Sequence, residues 1–157
     1  MALRPLSDDE QARVDAQIAA HPHLEVRGTR SAGAQAAHNV RRLLKERFPL
    51  VPFRVRLDRS AWAVDLQVSW PLVDGAPDAA TAKALLAHFG SQGYDGTSES
   101  TTFDSDPERM AFRRAFGGVS YLTATPHPPS PEEMAAWLRK AVPEGRRTPR
   151  LRTRTRM

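Results

Sequence analysis

The sequence predicts an α+β fold, a two-layer domain with an antiparallel sheet and helices packed on one face. Three observations carry that expectation. The run from Phe48 to Trp70, FPLVPFRVRLDRSAWAVDLQVSW, alternates apolar and polar side chains with period two. The flanking segments repeat apolar residues at helical spacing instead. The resulting order is helix, helix, hairpin, helix, strand, short helix, strand, helix, and no internal repeat interrupts it.

The first element is a short helix opened by Ser7-Asp8-Asp9-Glu10, which has the capping-box form, with Val14 and Ile18 on one face. Its apolar stripe is thin and His21-Pro22-His23 ends it, so residues 1–33 are expected to form an N-terminal helix or arm. A stronger helix spans Ala34 to Phe48, with Val40, Leu43, Leu44 and Phe48 inward and Arg41, Arg42, Lys45 and Arg47 outward. Pro49 stops it. In the hairpin that follows, Phe53, Val55 and Leu57 share one face with Trp62, Val64, Leu66, Val68 and Trp70. Arg54, Arg56 and Asp58 take the other face with Asp65, Gln67 and Ser69. A slip of one residue would turn the whole apolar set into water, which fixes the register.

Asp78 is placed to cap a helix from Ala79 to Phe89, with Ala82, Leu85, Leu86 and Phe89 inward. Tyr94-Asp95-Gly96 reads as a turn and Thr97 to Phe103 as an edge strand. Asp106 before Pro107 opens a short helix to Phe116, which Gly117-Gly118 breaks. Val119 to Thr125 is expected as a further strand of the same sheet. Ser130-Pro131-Glu132-Glu133 is a second capping box, opening a helix with Met134, Trp137, Leu138 and Val142 at helical spacing. The chain thus divides into the arm 1–33, an α+β domain over 34–145, and a basic tail over 146–157.

Charge is strongly segregated. The tail, RRTPRLRTRTRM, holds six arginines and no acid, whereas the preceding 145 residues carry 17 basic and 18 acidic side chains, a net charge of −1. Any footprint for a polyanion is therefore concentrated in the tail. With 40% hydrophobic and 26% charged residues the chain reads as globular, without a membrane span, and the N-terminus lacks the apolar core of a secretory signal. A cytoplasmic location is the expectation. The absence of cysteine excludes disulfides, thiol catalysis and cysteine-ligated zinc.

No catalytic constellation assembles from the residues. His21 and His23 form a His-x-His pair, but no third ligand is placed near them, so neither metal nor cofactor is expected. Asp8-Asp9 and Glu132-Glu133 each open a helix, where the macrodipole accounts for negative charge. No phosphate-cradling loop, dinucleotide fingerprint or nucleophile elbow is present.

From about Val40 to Thr125 the chain resembles the large polyvalent protein associated domain of type 29. The matching pieces are the helix VRRLLKERFP, the strands FRVRL and VDLQVSW, the stretch GYDGTSES and the later FGGVSYL. The resemblance implies an accessory domain of phages and conjugative elements and brings no established catalytic residues with it.

Two readings follow. In the first, a non-enzymatic protein binds the DNA or RNA backbone through Arg146, Arg147, Arg150, Arg152, Arg154 and Arg156, with Arg54 and Arg56 continuing the track. In the alternative, the chain is a protein-interaction module or inhibitor, such as a phage-borne anti-defence factor, that binds a host protein complex. An acidic protein groove attracts arginine as a phosphate does. Oligomeric state is not legible.

Overall fold

The computed structural model describes residues 4–60, 63–95, 100–103 and 106–142. The elements are α1 (Asp8–Ala20), α2 (Ala32–Arg47), β1 (Arg54–Arg59), β2 (Val64–Pro71), α3 (Ala79–Leu86), β3 (Gln92–Asp95), β4 (Ser100–Phe103), α4 (Pro107–Phe116), β5 (Tyr121–His127) and α5 (Pro131–Ala141). A single 3-10 turn, Ala87–Phe89, prolongs α3. The α+β class is as the sequence predicts.

Caps set the helix starts. Ser7, Ser31, Asp78, Asp106 and Ser130 each accept a backbone N–H of the first turn with a side-chain oxygen. The full reciprocal box forms at Ser130 and Glu133. At Ser7 the Glu10 carboxylate turns instead to Arg4 and Arg114, each at 2.7 Å.

The hairpin pairs in the expected register, with Val55 opposite Val68 and Leu57 opposite Leu66. Leu66, Val68 and Trp70 are buried on the inner face, and Trp70 also donates its indole N–H to the Pro77 carbonyl at 2.9 Å. Burial of each such side chain contributes roughly 1.5–3 kcal/mol. Trp62 lies outside the described residues.

Three features depart from the sequence reading. The sheet, ordered β1-β2-β5, is mixed and not wholly antiparallel, because β5 runs parallel to β2 from Asp65 beside Tyr121 to Pro71 beside His127. A parallel neighbour needs a long crossover, here containing α3, the β3–β4 pair and α4. Second, Tyr94 and Asp95 belong to β3, which pairs antiparallel with β4 in a separate two-stranded sheet. Third, α1 is not a detached arm. It packs along α4 with Val14 buried, and Glu10 pairs with Arg114 while Gln17 donates to Glu108 at 3.0 Å. The charged partners on α4 compensate for its narrow apolar stripe.

The layers meet at a close crossing of α2 and the chain after α4. Gly117 has φ +92°, and a Cβ there would stand 2.5 Å from the Ala32 carbonyl oxygen and from the Ala36 nitrogen. Asn39, fully buried, donates to the Phe116 and Glu25 carbonyls, both at 2.9 Å, and accepts from the Glu25 N–H at 2.8 Å. Gln35 adds a bond to the same Glu25 carbonyl. These side chains pair main-chain groups that no ladder reaches.

This crossing and an open turn can be compared directly. At Gly75, φ +83° with nothing near its Cβ position, an alanine is strained only by backbone conformation and should cost about 1–2 kcal/mol. Gly117→Ala adds a main-chain collision and should cost several kcal/mol, of the order of a small domain's whole stability. Urea unfolding of the two variants measures the difference, and equal midpoints would refute the crossing.

Candidate nucleic-acid interface

Because strand side chains alternate, the face of the sheet opposite the core is fixed by the buried one. Across its three strands it carries Arg54, Ser69 and Thr125 in one row, Arg56, Gln67 and Thr123 in the next, and Asp58, Asp65 and Tyr121 in the third, with the β2 residue in the middle of each. Arg54, Arg56, Gln67, Thr123 and Thr125 are exposed. Successive outward positions on one strand lie about 6.6–6.8 Å apart. The two predicted arginines therefore stand as neighbours on the open face, in rows continued by hydroxyl and amide groups that can contact phosphate or sugar.

The electrostatics of this face are graded. Asp58 and Asp65 sit directly across the ladder, a like-charge pairing that costs stability, and Oδ1 of Asp65 is buried without a hydrogen-bond partner. Acid also closes the Arg54 end, where a cavity of about 610 Å³ is lined by Arg54, Ser69, His127, Glu132 and Glu133. The His127 imidazole 2.9 Å from Glu133 holds that carboxyl below its ordinary value, helped by the Ser130 N–H. The Arg54–Arg56 pair is thus a short cationic segment bounded by acids. Arg146, Arg147, Arg150, Arg152, Arg154 and Arg156 lie outside the described residues.

Other cations gather along the outer edge of β1, and sequence reasoning missed that grouping. Arg41 of α2 donates to the Val55 carbonyl at 3.0 Å. Together with Lys45 and Lys140 it borders a groove of about 260 Å³ beside that edge. The outward helical spacing of Arg41 and Lys45 was visible, but their approach to a strand edge was not. Of the residues at helical spacing from Met134 on, Leu138 and the C-cap residue Val142 are exposed, and Met134 and Trp137 meet the core.

His21 and His23 do gain a third imidazole in space. With His88 they line a cavity of about 380 Å³ floored by Leu24, Leu43 and Phe112. The His21 ring stands edge-on to Phe112 and Phe116, at 5.3 and 5.8 Å between centroids. Among the described residues, no group of three or more His, Cys, Asp or Glu side chains is arranged to hold a metal ion. No described helix is long and apolar enough to cross a membrane.

A mixed three-stranded sheet with helices packed against it defines an α+β domain. The chain belongs to the large polyvalent protein associated domain 29 family, whose sequence profile matches residues 31–126. Neither a curated protein nor a solved structure matches it. The matched span takes in α2 and nearly all of the sheet.

The histidine cavity gives a pH prediction. Burial, then the charges of His23 and His88, lower the pKa of His21 from its ordinary 6.5. Below pH 6.5 the unfolded chain binds a proton that the folded one resists, so stability should fall as pH drops through that value. Thermal melts between pH 7.5 and about 5 should show this fall, and His21→Phe should flatten it. An identical pH dependence in the variant would show that His21 is not its source.

Proposed function

We propose that this protein is a non-enzymatic nucleic-acid-binding accessory protein of a mobile genetic element, held to the backbone of DNA or RNA mainly by its arginine-rich tail. One observation carries the reading: the last twelve residues hold six arginines and no acid, while the rest of the chain has a net charge of −1. Arg54 and Arg56, exposed side by side next to Gln67 and Ser69, supply a second cationic contact on the sheet. Contacts of this kind position a protein on a phosphate backbone without reading sequence. Membership of a polyvalent-protein family supports the mobile-element setting.

Electrophoretic mobility shift with duplex DNA and with RNA, at several salt concentrations, tests the reading. On duplex DNA the slope of log K against log salt should be up to about −0.9 per phosphate contact. Truncation after Gly145 should flatten the slope and weaken binding to all sequences alike, and Arg54→Ala with Arg56→Ala should have a smaller effect of the same kind. Unchanged affinity and slope on truncation would remove the tail from the interface. Absence of binding by the full chain at low salt would end the proposal.

A further inference from the structure

Beside this reading, and through different side chains, the free edge of β1 forms a second surface. The sheet order β1-β2-β5 leaves that edge without a strand among the described residues. The bond from Arg41 to the Val55 carbonyl shows which way the main chain faces: Val55, Leu57 and Arg59 turn their peptide groups outward, and Arg54, Arg56 and Asp58 turn theirs toward β2. Of these groups, only the Val55 carbonyl has a hydrogen-bond partner among the described residues. The adjoining groove has an apolar floor of Leu44, Val51, Phe53 and Val55. Its charged lining is Arg41, Lys45 and Lys140, with no acid among the described lining residues.

We propose that this edge and groove bind an extended acidic segment of a partner protein, which adds to β1 as a further strand. The main-chain groups of Leu57 and Arg59 pair with the segment's own peptide groups, one of its apolar side chains enters the groove, and its carboxylates meet Lys45, Lys140 and Arg41. Charge complementarity selects this occupant. A second copy pairing through its own β1 would set two strands side by side that each carry three arginines against one aspartate, and the chain's own tail is cationic too. A nucleic acid would meet the lysines, but its phosphates cannot donate to the outward carbonyls, and it has no use for the apolar floor.

The test uses the full chain and a fluorescein-labelled synthetic peptide in which a short run of valines is flanked on both sides by runs of glutamate, read by anisotropy at low salt. A matched lysine–valine peptide and a single-stranded oligonucleotide serve as comparisons. Lys45 and Lys140 are exposed, so Lys45→Glu with Lys140→Glu should leave the fold intact. The glutamate peptide should bind, the lysine peptide should not, and the double reversal should weaken binding by about tenfold or more. The Leu57 and Arg59 amides should gain protection from hydrogen exchange when the peptide binds. Failure of the glutamate peptide to bind, unchanged affinity in the double variant, or unprotected edge amides would overturn the proposal. Protection of those amides by the oligonucleotide in place of the peptide would assign the edge to nucleic acid and overturn it equally.

Discussion

Everything in this fold rests on how closely the turn after α4 approaches α2. At Gly117 the two main chains come within contact distance, and the Gly118 N–H donates to the Ala32 carbonyl at 3.1 Å. That proximity needs a helical face with small side chains, and Ala32 and Ala36 at the start of α2 supply it, with the Cβ of Gln35 beside them. Gly33 then sits against Val64 and Leu57 of the sheet, with Val64 Cγ1 3.0 Å from where a Cβ would lie. The thin first turn of α2 therefore touches the hairpin through Gly33 and the end of α4 through Ala32 and Ala36. Because β5 begins three residues after Gly118, the crossing also sets where β5 enters the sheet.

A polar cluster holds the same joint. Asn39 takes up a donor and an acceptor of Glu25 and the carbonyl of Phe116, tying the loop before α2 to the end of α4. The energetic asymmetry of buried hydrogen bonds makes this a locating device: the bonds add modestly to stability, but leaving any of those groups unpaired in the interior costs about 1–3 kcal/mol each. Alternative placements of α4 are thereby penalised. The Phe112–Phe116 ring pair and its contact with Phe89 fill the adjoining core.

The same arrangement leaves two surfaces uncommitted. Helices crowd the inner face, so the outer face keeps its arginines, threonines and glutamine in solvent. α2 comes near enough to β1 for Arg41 to reach its edge, yet no described strand closes that edge. Exposed strand edges invite pairing, and proteins commonly guard them with charge. Here the guard beside the edge is cationic, Arg41, Lys45 and Lys140, whereas on the outer face Arg54 and Arg56 are bounded by acids.

What the sequence determined by itself was local. The period-two run specified the hairpin, its register and the outward placement of Arg54 and Arg56, because one face had to be buried. Capping residues set the starts of α1, α3, α4 and α5, since an N-cap is a contact over three residues. The segregation of charge into the tail needed no structure to be seen. Tertiary structure decided whatever depends on distant partners. A strand's alternation is the same in parallel and antiparallel ladders, so only the crossover through α3 and α4 made β5 parallel. Docking of α1 depended on Glu108 and Arg114, about a hundred residues away in the chain. The grouping of Arg41, Lys45 and Lys140 beside β1, and of three histidines around Phe112, arose because packing brings together side chains that no sequence spacing relates.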